Sequence, residues 1–548
     1  MDMEARMPRL VPALTLALAL GAVPAVASAK DAGEKPKQVD IEPYIEAAQV
    51  VSAELSPGDD VVTYSRIAAG VDAQVIGRNT AGALSLRYER RIGWEDDAPD
   101  GDLISGIARV GIGIVPQALT LEAGGLAART RVEGNGASIQ SPIADNAGKS
   151  NIYAVYAGPS LHTNMGNLDV EGHYRIGYSK VEEPDALVTA PGAEPVDVFD
   201  ESVVQNAQIR VGARPNALLP VGIGVGAGWY REDINNLDQR VDDRHVRADA
   251  TLPVSPSLAL VGGIGYEDVE ISARDALRDE LDMPVIGADG RYVTDPNSER
   301  RIAYHTDGLI WDAGVLWRPS TRTSLEAHVG RRYGSMSYYG SLSYQPSSRS
   351  SFNVGVYDTV SGFGGQLNNA LANLPTEFQA IRNPISGDIG GCVDSLENGV
   401  CLGSALSAIR SSTFRARGVM ATYAHRFGRW QTGIGAGYDN RKFIAADDTV
   451  LADVDGKADE NIWLAAFLNG RLGDNSSIST NIYANWFNSA FDLSGSSTGY
   501  GASAAYYRNL TQRLSATAAV SLDGVNRDEE ALDDTLSAAA LLGMRYSF

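Results

Sequence analysis

The feature that most constrains this chain is a period of two that holds over whole segments. Leu168, Val170, Gly172, Tyr174, Ile176 and Tyr178 alternate with Asp169, Glu171, His173, Arg175 and Ser179. Val246, Ala248, Ala250 and Leu252 alternate with His245, Arg247, Asp249 and Thr251, and Val221 to Trp229 interleaves apolar residues with Gly222, Gly224, Gly226 and Gly228. Alternation of this kind belongs to strands with two unlike faces. Between Trp311 and Tyr357 it is punctuated by a repeated turn phrase, Arg318-Pro319-Ser320-Thr321-Arg322 and then Gln345-Pro346-Ser347-Ser348-Arg349. The hairpins so marked have the length of strands that cross a bilayer.

About 22 strand-like runs (range 18–22) can be traced from Ile41 to Phe548. Some, such as Ile152 to Gly158 and Phe414 to Phe427, are ambiguous in phase. The connections separate by parity. Tight turns near Asn79, Gln117, Asn164, Pro215, Pro319, Pro346 and Gly428 alternate with mostly longer acidic loops, among them 272–307 and 361–410. A soluble sandwich has no reason to sort its loops this way, whereas outer-membrane barrels do, with short periplasmic turns and long outside loops. Gly334 to Met336 is an unusually short outside connection between two very long ones, so the rim there is expected to carry a lateral notch. The expected fold is all-β: a transmembrane antiparallel up-and-down β-barrel with no plug domain. The 44% hydrophobic content, with 58 Gly and with Tyr outnumbering Phe 23 to 11, fits strands that are apolar on one face.

Residues 1–29 read as a signal peptide, with Arg6 and Arg9, the apolar run Leu10 to Ala22 and a small-residue cleavage site at Ala27-Ser28-Ala29. Pro12 and Pro24 argue against a membrane anchor. Residues 30–40 read as a periplasmic linker and 41–548 as the barrel. No later stretch approaches the ~18 apolar residues of a membrane helix. The last strand ends with Leu542, Met544, Tyr546 and Phe548 on one face, a terminus that resembles the signal read by barrel-insertion machinery. These features place the protein in the outer membrane of a Gram-negative bacterium, among lipid and lipopolysaccharide. Trp94, Trp229, Trp311, Trp317, Trp430, Trp463 and Trp486 lie near strand ends, as interfacial girdles require. A net charge of −22 excludes nucleic acid as a partner.

Little in the chain points to catalysis. The six histidines form no Ser–His–acid grouping, Gly222 to Gly228 sits within a strand rather than before a helix, and no calcium-loop motif accompanies the acidic stretch 446–460. No catalytic, cofactor or metal residue is expected, and a barrel hydrolase ranks third among the readings. Cys392 and Cys401, a close pair in an exported chain, are expected to form a disulfide across the longest loop. Alternation assigns Asp169, Glu171, His173, Arg175, Arg247, Asp249, Glu326, His328 and Arg332 to the lumen wall. Their mixed signs imply an internally paired, hydrated surface.

Arg318 to Leu325, Gly330-Arg331-Arg332-Tyr333-Gly334-Ser335, the second turn at Pro346 to Phe352 and Tyr357-Asp358-Thr359-Val360 together resemble the outer-membrane β-barrel proteins associated with exosortase and exopolysaccharide systems. The resemblance covers about 50 residues. It implies an outer-membrane location and a link to exopolysaccharide production or export, and it carries over no catalytic residue. The leading reading is therefore a porin-like conduit associated with exopolysaccharide export. The alternative is a closed structural or surface-interaction barrel without transport activity.

Overall fold

The computed structural model describes residues 38–95, 98–132, 138–139, 149–187, 196–394, 400–401, 412–489, 496–528 and 533–548. The expected signal peptide, and the linker up to residue 37, lie outside these. The first nine strands are β1 (Gln38–Ser56), β2 (Val61–Ile76), β3 (Thr80–Gly93), β4 (Gly101–Val115), β5 (Leu119–Val132), β6 (Lys149–Met165), β7 (Leu168–Leu187), β8 (Val196–Ala213) and β9 (Gly222–Ile234). There follow β10 (Gln239–Ser255), β11 (Leu258–Ala273), β12 (Arg301–Ser320), β13 (Thr323–Arg332), β14 (Ser335–Ser347) and β15 (Ser350–Ser361). After helix α1 (Phe363–Ala372) come β16 (Thr413–Phe427), β17 (Trp430–Ile444), β18 (Ala458–Arg471), β19 (Ser476–Asn488), β20 (Ser496–Asn509), β21 (Leu514–Arg527) and β22 (Thr535–Ser547). β1 thus takes in Gln38 to Asp40, three residues that the sequence reading gave to the linker.

Each strand pairs antiparallel with its sequence neighbours, and β22 returns to β1, with Tyr44 opposite Ser547 and Val51 opposite Ala540. The result is a closed ring of 22 strands. Its outward positions carry Val225, Val246, Ile264, Leu309, Ile482 and Leu542, all strongly exposed. An apolar exterior on a ring with no open edge is the form in which a sheet can sit in hydrocarbon, because every backbone N–H and C=O finds a partner within the wall. Trp311, Trp317 and Trp486 are exposed on this outer face, as the girdle expectation required, but Trp463 is not. It lies between outward Ile462 and Leu464, is buried, and occupies space left by Gly437.

Connections of two kinds sit at the two ends. One end has tight turns, as at residues 166–167, 256–257, 321–322 and 348–349; the other has the long ones, 274–300 and 362–412. The expected notch beside the short turn at Gly334 is bridged. Tyr333, at φ 53°, is buried, and its ring lies 4.7 Å from the Arg332 guanidinium and 5.3 Å from that of Arg415. Arg415 also binds Asp358 at 2.7 Å and Ser335 Oγ at 2.6 Å, tying β16 to β15 and to the β13–β14 turn.

The β6–β7 pair depends on one close approach. A Cβ on Gly158 would lie 1.8 Å from the Tyr174 carbonyl oxygen and 2.8 Å from its carbonyl carbon. Backbone cannot yield as a side-chain tip can. Gly158→Val is therefore expected to cost about 3 kcal/mol, read as a lower urea midpoint for loss of the folded band in detergent. Gly111→Ala, whose Cβ would meet nothing nearer than 3.7 Å, should stay within about 0.5 kcal/mol of the parent.

Candidate functional site

A ring of this width has an interior that its own side chains cannot fill. The segment from Gly362 onward folds into that space. Phe363, Leu367, Leu371 and Leu374 recur at helical spacing and are buried against Leu126, Ile152, Tyr156, Val181 and Ile234 on the inner faces of β5, β6, β7 and β9. Burial of each large side chain contributes about 2 kcal/mol. The helix ends at Asn373, two residues before Pro375, which cannot continue it. Its start has no side-chain cap of its own. Glu232 of β9 takes that role: it accepts from Gly362 N at 2.6 Å and Gly365 N at 3.1 Å, and also from Tyr230 Oη at 2.5 Å and Ser202 Oγ at 2.8 Å. A fully buried carboxylate is tolerated only with such a set of donors. Glycine is required here. A Cβ on Gly365 would lie 1.9 Å from Tyr230 Oη, and one on Gly364 2.2 Å from Ser202 Oγ.

Beyond the helix the segment runs on along the wall past β3 and β4 to β1, β2 and β20 to β22. Asn383 Oδ1 accepts from Ile385 N at 2.8 Å and Ser386 N at 3.1 Å, which shapes a tight turn closed by Gly387 at φ 76°. The turn drives Ile385 into Val50, Tyr64, Ala505, Ala519, Ala539 and Leu541. Arginines from the wall hold its carbonyls. Arg66 donates to Ile385 O, and Arg91 donates to Ser386 O at 2.8 Å. Arg382, from the segment itself, donates to Ser105 Oγ at 2.6 Å. Glu46 and Glu89 balance these cations, with Arg87 bridging them at 2.9 and 3.1 Å. Burial pushes the Asp388 carboxyl up, against the opposing pull of Arg91 and Arg129. That group therefore costs nothing at low pH, and it increasingly disfavours the docked turn as pH rises from the ordinary carboxylate range to its raised value. Nearby, the register sets Cys392 directly opposite Cys401 in a short loop ladder.

The sequence singles out 272–307 and 361–410 among the longer acidic loops. Only the second folds inward among the described residues. The first forms its own irregular hairpin, held at Asp238 by Arg274 and Arg300, with Leu281 and Met283 left exposed.

Nearer the short-turn end, the wall carries a chain of opposite charges across β8, β10, β12 and β13. Arg210 binds Asp249 (2.6 Å), Arg247 reaches Asp249 (3.3 Å) and Asp312 (2.7 Å), and His328 lies 3.0 Å from both Asp312 and Glu326. These side chains lie flat because the positions beneath them are glycine. A Cβ would strike Arg210 at Gly224, Arg247 at Gly263 and His328 at Gly314, each at 2.5 Å or less. Of the nine lumen candidates, Arg247, Asp249, Glu326 and His328 thus meet in one network. Arg332 joins a separate cluster with Asp243 (2.8 Å) and Glu267 (3.6 Å). Asp169 pairs with Arg214 at 2.6 Å, Glu171 with His162 at 3.7 Å, Arg175 with Glu122 at 3.7 Å, and His173 with Asn206 at 3.1 Å. Sequence reasoning missed Asp312, Arg210 and Tyr339, and the whole Glu46–Arg66–Arg87–Glu89–Arg91 cluster. The alternation of Arg87, Glu89 and Arg91 with Tyr88 and Arg90 carried the signal for the last.

No family model matches the chain, and no curated protein matches it. Among solved structures it is similar to the FrpB iron transporter from Neisseria meningitidis (F5-1 variant), with a TM-score of 0.44 and 10% identity over 93% of this chain and 83% of that one. It is similar also to the ferric-catecholate import receptor Fiu from E. coli K12 in its open form (0.41, 12%, 92% and 81%). A third is the siderophore receptor PiuA from Acinetobacter baumannii (0.44, 8%, 94% and 82%). The even-stranded antiparallel ring with its apolar exterior itself places the protein in the outer membrane of a Gram-negative bacterium.

Glu232→Ala would leave the Gly362 and Gly365 amides and two side-chain donors without their shared acceptor. We expect a loss of about 3 kcal/mol in docking of α1, seen as new protease cleavage between Gly362 and Leu374 in an otherwise intact barrel. Glu232→Gln, which keeps one acceptor oxygen, should be cleaved more slowly than Glu232→Ala.

Proposed function

We propose that the protein is a non-enzymatic, porin-like conduit of the outer membrane whose bore is set by the inward segment. The single observation that carries this reading is the mooring of residues 362–388 inside the ring, by α1 on Glu232 at one side and Ile385, Arg66 and Arg91 at the other. A purely structural barrel has no need of a segment anchored at both of its own ends to the inner wall, whereas a conduit needs a fixed constriction to discriminate by size. Exopolysaccharide is the cargo we favour, on the resemblance of the Trp311–Tyr357 block. Lipopolysaccharide and the barrel-insertion machinery are the partners that its surface and last strand call for. A Cys392–Cys401 disulfide, fitting the opposed register, would close the far part of the same loop.

In planar bilayers the purified protein should show discrete conductance steps. Replacing residues 363–394 by a short Gly/Ser linker should raise the step several-fold. A silent parent protein favours the closed structural barrel and ends the conduit reading. Deleting the gene should lower secreted polysaccharide; unchanged yield removes that cargo. For the disulfide, maleimide labelling of unfolded protein should require prior reduction, and equal labelling without reductant would refute the bridge.

A further inference from the structure

The charged chain on the wall includes one aromatic layer that ion pairing does not explain. Gly314 leaves room for the His328 imidazole to lie against the backbone of β12, and Tyr339 of β14 lies on that imidazole with ring centroids 4.5 Å apart and planes 6° from parallel. Tyr338, its neighbour, is on the outer face opposite Val329, so the register puts Tyr339 inside, opposite His328. The result is a three-layer stack of backbone, imidazole and phenol, with the phenol outermost. His328 is sealed, whereas Tyr339 keeps 40% of its surface exposed. Around it stand Glu326, whose side chain is 46% exposed, and Arg247, which is 25% exposed and already holds Asp312 by two hydrogen bonds.

We propose that this stack is a saccharide-binding platform in the lumen, an inference that rests on the conduit reading and names the class of solute. A phenol backed on one side by the sealed imidazole and still 40% exposed presents a π-face of the sort that receives the C–H face of a pyranose. The polar groups beside it are mutually neutralised: Arg210 and Arg247 face Asp249 and Asp312. The rim therefore offers donors and acceptors with little net field, which suits a neutral polyhydroxylated solute better than an ion. Partial burial fixes the ring in advance, so stacking costs little ordering entropy.

The test is current block by maltohexaose in single channels. The parent protein should show brief, concentration-dependent blocks. Tyr339→Ala should weaken them by roughly tenfold, the scale of one lost aromatic contact, while Tyr339→Phe and the outward control Tyr338→Ala retain them. A channel that conducts but is never blocked, or whose Tyr339→Ala variant is blocked as the parent is, overturns the platform and leaves the conduit standing. Saturation-transfer NMR of maltohexaose with detergent-solubilised protein needs no conduction. Transfer to sugar C–H protons that disappears in Tyr339→Ala would uphold the platform even in a silent barrel, and absence of transfer in the parent would remove it.

Discussion

A backbone immersed in hydrocarbon has no water to bond, so its amides and carbonyls must be paired within the protein. In this chain that requirement is met by the return of β22 to β1, which leaves the sheet without an edge. Everything else follows from the circumference so imposed. Outward positions become aliphatic, inward positions become free to be polar, and the interior is left too wide for the wall's own side chains to fill. The chain responds in two ways. Over β1 to β9 and β20 to β22 it lays the Gly362–Asp388 segment against the wall. Over β8 to β14 it lets long charged side chains recline over glycines.

The two responses demand opposite things of inward positions. Where the segment docks, the wall must be apolar or must bind backbone carbonyls, hence Ile152, Tyr156, Val50 and Leu541 beside Arg66 and Arg91. Where the lumen stays wet, charges pair laterally across to a neighbouring or next-nearest strand, as Arg210 with Asp249 and Arg247 with Asp312, or along one strand, as Glu326 with His328. Gly224, Gly263 and Gly314 serve this second mode, since any side chain there would lift its neighbour off the wall. The first mode depends on the buried Glu232 carboxylate, which substitutes for the missing helix cap and so makes α1 stable only in its docked place.

The ring, its strand phase and its two kinds of connection were legible in the sequence because period-two alternation survives wherever one face meets lipid and the other meets water. The phase of Ile152 to Gly158 was obscure for a physical reason. Ile152, Ala154 and Tyr156 face the helix while Tyr153 and Val155 face outward, so both faces are apolar. Phe414 to Phe427 is similar, with Phe414 turned inward onto Phe443. Helix α1 was hidden by its two early glycines, which look like loop and are in fact close contacts with Ser202 and Tyr230. Asp312 and Arg210 could not be paired with Arg247 and Asp249 without the register of five strands, β8 to β12. Tyr339 was concealed by an adjacent tyrosine on the other face.

Residues 362–388 occupy the inside of the ring in the membrane. Asn368 Nδ2 lies 3.0 Å from Ser179 Oγ on β7. In a background with Cys392→Ser and Cys401→Ser, the pair Ser179→Cys and Asn368→Cys should crosslink in high yield in intact outer membranes under mild oxidation. A pair that stays reduced, with both thiols open to a membrane-impermeant maleimide from outside, would show that the segment stands clear of the lumen and would contradict the account.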